Sequence, residues 1–400
     1  MKKFLALVLT LVLTLSCASL ASAAYDGEIK VWVAEAVVDF TKAQVEAFKA
    51  ENPDYANMTV TVEPVGEGDA ASNMLTDVEA GADIFGFAQD QLGRLVGAGA
   101  LVDVLPENAE IVAATNDAGS VSAVMMGDTM YAYPMTSDNG YFLYYDKSVV
   151  TDPSTLEGIL AQCEAAGKNF YFEINNGWYI PAFFFGAGCT LTYESDANGN
   201  LIACNCDYAS ENGLKALKAI IEMCKSPNFV NGSAADKAIN FGAMVTGTWN
   251  AATLQGMLGE NYAAVKLPTA AGFQLGGFGG FKLIGVKPQT DEDKLAVCDA
   301  IALYLTSGAV QQARYEAVGF GPSNLAAQQS DAVKADVALS ALASQLQYCI
   351  GQGQYPGEYW SLATALGDDI LADKYDAYTD EQLLEVLTTF QTTAGTYIAQ

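Results

Sequence analysis

A chain of 400 residues is long for one hydrophobic core and typical of two domains. It carries 47 acidic against 19 basic residues, a net charge of −28, which repels phosphate backbones and anionic membranes and argues against nucleic acid as a partner. It has no histidine, which removes Ser-His-Asp and Cys-His nucleophile systems, His-ligated metals and imidazole acid–base chemistry together.

The chain opens MKKFLALVLTLVLTLSCASLASAA. Two lysines, an apolar run from Phe4 to about Leu15 and the small triplet Ala21-Ser22-Ala23 predict a secretory leader, residues 1–23, cleaved after Ala23. The run is too short for a transmembrane anchor. Cys17 offers an alternative, a lipidated N-terminal cysteine, although Thr14 stands where such a signal prefers leucine. The expected location is therefore periplasmic or cell-surface, free or lipid-anchored. Without Lys2 and Lys3 the chain keeps 17 basic residues against 47 acidic ones, a net charge of −30.

Glu28 to Glu35 reads as a short buried strand. Thr41-Lys42-Ala43-Gln44 has the capping-box pattern and predicts a helix start, with a stop at Asn52-Pro53. Thr59 to Val62 alternates as a strand, Ala70 to Ala80 reads as a helix ending at Gly81, and Asp83 to Ala88 is an apolar strand that runs into Asp90 and Gln91. Strand–helix–strand–helix–strand is the pattern of an open parallel sheet, whose strand ends are where ligands bind. Val121 to Tyr133 and Tyr141 to Tyr145 read as further strands, with YPMTSDNG between them as a crossover.

From about residue 150 longer helices are predicted over 153–166, 211–224 and 233–241, alternating with short strands at 170–173 and 243–246. LGGFGGFKLIGVKP returns to strand, and a helix opened by Thr290 follows over 291–306. The last quarter reads as helices over 331–347, 359–372 and 379–393. No repeat, low-complexity tract or flexible linker cuts the chain once. Two cores without a linker imply that the chain crosses between domains more than once.

The chemistry-bearing motifs are mostly negative. LGGFGGF lacks the lysine and Ser/Thr of a phosphate loop and runs into a strand rather than a helix. DANGN lacks the distal glutamate of a calcium loop and reads as a hairpin turn. Seven cysteines follow the leader, an odd number. Cys189 and Cys204 flank the hairpin and could face each other as a disulfide, the rest reading as buried thiols. Cys204-Asn205-Cys206 is not a zinc spacing, and no cofactor or metal is expected.

Several colinear stretches nevertheless point one way: KVWV (30–33), ADIFGFAQDQLGRLVGAGALVDV, GDTMYAYPMTSDNGYFLYYDKSVV (127–150), AINFGAMVTGTWN (238–250), the strand after LGGFGG, the helix ending LYLTSG, and GFGPSN (319–324). Together they resemble the extracellular solute-binding proteins of ATP-driven importers, in the sugar-binding cluster that includes maltose/maltodextrin binders. The resemblance implies an α/β fold of two lobes, each a mostly parallel sheet flanked by helices, with the ligand in the cleft between them. It implies a first lobe of 24–136 plus 278–326 and a second of 137–277 plus 327–400.

It also implies ligand contacts. Phe87 falls where the sugar binders carry a tryptophan, and Asp90 on their sugar-binding aspartate, while Gln91 departs from an arginine. Glu35 lies just past the first strand, and Asp138 falls on a family glutamate. Trp249 and Trp360 fall on aromatic platforms, and Asn175 and Trp178 on a segment supplying an aromatic and a polar contact. Aromatics suit the apolar face of a sugar ring and carboxylates its hydroxyl rim. Rival roles remain open: Asp90 as the N-cap of a helix starting at Gln91, Phe87 as sheet packing, Trp360 as a helix-opening core residue. Trp32, inside a strand, reads as core.

The function implied is the binding component of an ABC-type carbohydrate importer, for an oligosaccharide of maltooligosaccharide type, working as a monomer with membrane permease subunits as partners and without enzymatic activity. The alternatives are a binder of polyamine or another cationic ligand, which the −30 charge favours, and a secreted carboxylate-dependent glycosidase.

Overall fold

The computed structural model describes residues 24–196 and 198–398. The expected leader and Cys17 lie outside the described residues. Two separate sheets, each with its own core, account for the architecture. In the first, Glu28–Val33, Thr59–Pro64 and Ile84–Ala88 run parallel, with Glu28–Val33 in the middle. Gly277–Val286 then pairs antiparallel with Ile84–Ala88 and also with Tyr133–Gly140. All five residues of Ile84–Ala88 are buried, as expected of a central strand covered on both faces.

The second sheet has the order Phe229–Val230, Asn169–Tyr171, Phe241–Thr246, Phe142–Asp146, Tyr262–Val265. Its first three strands are parallel, and Phe142–Asp146 runs against Phe241–Thr246. One core gathers Val31, Phe85, Phe87, Leu283 and Ile301; the other gathers Leu143, Phe170, Phe183, Leu217 and Tyr359.

The crossings are short. Tyr133–Gly140 belongs to the first sheet and Phe142–Asp146 to the second, with only Tyr141 between them. The chain returns through Gly277–Val286, then leaves again so that helix Val337–Leu346 packs on Tyr262–Val265. Cys349–Gly351 comes back to pair with Gly277–Gly279 at the edge of the first sheet, inside a region expected in the second lobe. Helix Gly357–Leu371 then packs into the second core through Tyr359, Ala363, Leu366 and Ile370. These repeated passages agree with the multi-crossing organisation expected from the missing linker.

Several expected elements differ. The first long helix starts at Val38 with no side-chain cap, and the Thr41 hydroxyl instead donates back to the Val37 carbonyl. YPMTSDNG is not a crossover but the strand Tyr133–Gly140 itself. The expected strand over 121–133 holds the end of helix Ala118–Ala123, capped by Asp117, and two two-residue strands. Of the expected helix over 233–241 only the 3-10 turn Ala235–Lys237 forms. Asp291, not Thr290, caps helix Glu292–Leu305. The helix expected over 331–347 breaks at Asp336, which caps its second half. The hairpin is present as Leu191–Ser195 and Leu201–Cys206, but its register sets Cys204 opposite Tyr193. Cys189 and Cys204 therefore do not face each other, and the seven described cysteines are free.

Candidate functional site

Parallel strands deliver their carboxyl ends to one edge, where side chains of the following loops converge. In the first sheet those ends lead to Glu35, to Glu67 and to Gln89-Asp90. In the second they lead to Glu173 and Asn175, to Asn231 and to Thr248-Trp249. Between the two edges run the crossing segments around Asp138, Gly280, Gly321 and Gln352.

Asp90 sits in the 3-10 turn Gln89–Gln91 and is 3% exposed. It makes no cap bond, so the rival N-cap role is not the one it plays. Its carboxylate accepts from Gln352 Nε2 at 2.6 Å. Gln352 is held in turn by its own backbone, which donates to Gly279 O at 2.8 Å, and by Asn139 Nδ2, which donates to its Oε1 at 3.1 Å. Burial pushes the Asp90 carboxyl up to about 7, opposed by its own backbone hydrogen bond, the Arg94 charge and the Gln352 amide. Gln91 also has a structural job. Its amide accepts from Ala71 N at 2.7 Å and donates to the carbonyls of Glu67 and Gly68, which ties the start of the preceding helix, Ala70–Thr76, to the strand end.

Asp138 is 1% exposed and joins three segments. One carboxylate oxygen accepts from Thr248 Oγ1 at 2.6 Å and from Gly321 N at 2.7 Å. The other oxygen is buried without a partner, as are Glu67 Oε1 and Gln89 Oε1. Buried oxygens of this kind are normally satisfied, so these three are notable at the strand ends and crossing, although the hydroxyls of Tyr141 and Tyr208 in the second core are unpartnered too. Arg314, also buried, places a positive charge near Asp138 and Glu67 while donating to the Leu305 and Met135 carbonyls.

Trp249 is half-buried and packs against both cores. Gly247 permits this, because a Cβ there would lie 2.2 Å from the indole and 2.7 Å from Gly140 O. Lys282 Nζ lies 5.4 Å from the Trp249 ring and 4.0 Å from that of Phe320. Trp178 stacks on Phe278 at 5.0 Å and meets Tyr141 edge-on. Trp360 packs edge-on against Tyr359 at 4.9 Å and near Tyr355 at 5.8 Å, leaving itself half-exposed. Asn175 donates to Asp368 and accepts from Asn231, so its amide is committed within the second lobe. Glu35 is exposed in a single 3-10 turn.

The expected residues thus divide. Asp90, Asp138 and Trp249 lie at the junction, with Trp178 and Trp360 on the second-lobe side and Glu35 at the first-lobe edge. Phe87 is the correction: it is fully buried, its ring 5.6 Å from Phe85, and an all-buried central strand leaves it no face for a ligand. Glu67, Gln89, Arg94, Lys282 and Gln352 also lie around this junction and are not singled out by the sequence. The first two carry the same strand-end signal as Asp90, but nothing in the pattern around Gln352 marks it. Two concavities, of about 580 and 590 Å³, lie elsewhere. They are mainly apolar surfaces on helices of the separate lobes, around Leu160–Lys215 and Ala109–Met125, with none of the orphaned polar atoms of the junction. Among the described residues no acidic or cysteine cluster could hold a metal, and no helix is long and apolar enough to cross a membrane.

Residues 43–341 match the family described as bacterial extracellular solute-binding protein, and the chain belongs to that family. No curated protein matches the chain by sequence. Among solved structures, one described as "with acarbose" is 28% identical over 92% of this chain and 98% of its own, with a TM-score of 0.79. The maltodextrin-binding protein MalE1 from L. casei BL23, without ligand, is 23% identical over 93% of this chain and 99% of its own, with a TM-score of 0.75. The Thermus thermophilus maltotriose-binding protein bound with maltotriose is 18% identical, covers 92% and 100%, and has a TM-score of 0.74. These likenesses establish the two-lobed binding-protein fold.

Proposed function

We propose, from membership of the bacterial extracellular solute-binding family, that this chain is the extracytoplasmic binding component of an ABC-type carbohydrate importer. Its ligand is an oligosaccharide of maltooligosaccharide type, held between the lobes and presented to membrane permease subunits. It binds and does not turn over its ligand. The lobes are 24–136 with 278–326 and 137–277 with 327–400, except that residues 137–140, Gly277 and the short strand Cys349–Gly351 belong to the first sheet. The protein is exported by its leader, either free or anchored through Cys17, and acts as a monomer.

The observation that carries this reading is the composition of the junction. Half-buried indoles at Trp178, Trp249 and, in helix Gly357–Leu371, Trp360 accompany the carboxylates and amides at the carboxyl ends of strands of the two sheets. Such a mixture fits the apolar faces and hydroxyl rims of sugar rings. Lobes joined by several short crossings close around a ligand by hinge motion. The structure described as "with acarbose", at 28% identity over nearly the whole chain, supports the same ligand class.

The test is calorimetric titration of the purified protein with maltose, maltotriose, maltotetraose and spermidine. Saturable binding of an oligosaccharide, with a rise in melting temperature that grows with its concentration, is the expected result. Binding of spermidine but of no oligosaccharide, or hydrolysis of any of the sugars, would overturn it.

A further inference from the structure

The chain has only two arginines. Arg314 is buried and spends its donors on the carbonyls of Met135 and Leu305. Arg94 is the opposite case. It is half-buried in helix Leu92–Gly97, yet its guanidinium makes no hydrogen bond or ion pair among the described residues, in a protein with 47 acidic side chains.

Its surroundings are specific. Arg94 lies four residues after Asp90, close enough for its charge to act on that carboxyl. Across the junction it faces Gly357, the first residue of the helix that carries Trp360 one turn later. A methyl group added at Gly357 would lie 3.5, 3.5 and 3.6 Å from Cζ, Nη2 and Nη1. Three nearly equal distances mean that the guanidinium presents its flat face to this position. The glycine leaves the space beside this face open, and the in-plane N–H donors stay uncommitted among the described residues. A planar fork held in this way and left without acceptors suits a ligand that offers two oxygens side by side.

We propose that Arg94 is a specificity-determining residue of the site, donating a bidentate pair of hydrogen bonds to vicinal hydroxyls of the neutral sugar unit that lies against Trp360. This rests on the reading of the junction as an oligosaccharide site and adds the residue that reads the hydroxyl pattern. Gln352 already donates to one Asp90 carboxyl oxygen, which leaves Arg94 as the neighbouring charged group with no side-chain bond made among the described residues.

The experiment compares the parent protein with Arg94→Ala and Arg94→Lys by calorimetry against maltotriose and trigalacturonate. Loss of two charge-assisted hydrogen bonds weakens maltotriose binding by about 10- to 100-fold in Arg94→Ala. Arg94→Lys recovers only a small part, because a point charge cannot make the fork. The melting temperature without ligand is measured alongside, and both variants remain folded, since the Arg94 side chain makes no hydrogen bond or ion pair among the described residues. Parent binding with both variants within twofold of it would overturn the role of Arg94 alone. Preference of the parent for trigalacturonate would overturn the neutral-diol assignment. A parent that binds neither sugar would fail at the earlier step, the oligosaccharide reading itself. If Arg94→Ala does not fold, Arg94→Lys decides by the same criterion.

Discussion

Asp90 makes stability depend on pH in an unusual direction. Most native carboxylates are stabilised in their charged form, so proteins lose stability as pH falls. The Asp90 carboxyl is instead raised from 3.8 to about 7, with burial the main cause. Below about pH 4 the group is protonated in both folded and unfolded chains, and its contribution is fully present. Between about 4 and 7 the unfolded chain gives up the proton while the folded one keeps it, so the unfolded state binds fewer protons and stability falls as pH rises. Above about 7 both forms are ionised and the loss levels off. An interval of about three pKa units corresponds to at most about 4 kcal/mol, at about 1.4 kcal/mol per unit. Asp90→Asn cannot ionise and keeps an oxygen to accept from Gln352. Urea unfolding of parent and variant at pH 4, 5.5 and 7.5 isolates this group, because every other titration is common to both. If the lobes unfold separately, the transition to follow is that of the first lobe, which holds Asp90. The variant is expected to gain on the parent by up to about 4 kcal/mol between pH 4 and 7. Parallel pH curves for the two proteins would refute the reasoning.

Two further changes probe the junction. Thr248→Val keeps the shape of the side chain but removes a donor to the buried Asp138 carboxylate, and should cost about 2 kcal/mol in denaturant unfolding; an unchanged midpoint would remove Thr248 from that joint. Gly199 has φ +81° at the hairpin tip, and a Cβ there would lie 2.2 Å from the Gly93 carbonyl of helix Leu92–Gly97. Gly199→Ala should therefore lower stability by about 1–3 kcal/mol and expose the hairpin to protease; a variant as resistant as the parent would show that the contact is not needed.

The sequence disclosed the fold where local pattern and tertiary demand agreed. Helix Glu211–Cys224 has the range its apolar spacing predicts, and Thr379 caps the last helix in a full capping box with Gln382. Tyr133–Gly140 misled because it is covered on both sides, so its polar TSDN stretch shows no alternation although it pairs along its length with Gly277–Val286. The 233–241 segment misled because its apparent helical spacing is overruled by Asn250, which draws the chain in through Ser233 O and Ala235 N. For the site, strand ends were legible and partners were not. Asp90 could be placed from its position after an apolar strand, but its controlling neighbour, Gln352, lies 262 residues away. Phe87 was misassigned for the converse reason: an aromatic near a strand end looks alike whether it faces the edge or the core, and only burial separates the two.

Trp249 touches both hydrophobic cores, with the Lys282 ammonium over its ring. Any rotation of one lobe against the other must therefore change what surrounds this indole, even if neither sheet deforms. Emission from Trp32, set in the first sheet with its N–H on Glu63, has no such reason to move. Trp249 is thus placed to report, through its emission, any movement of one lobe against the other, as the proposed closure on a ligand would require.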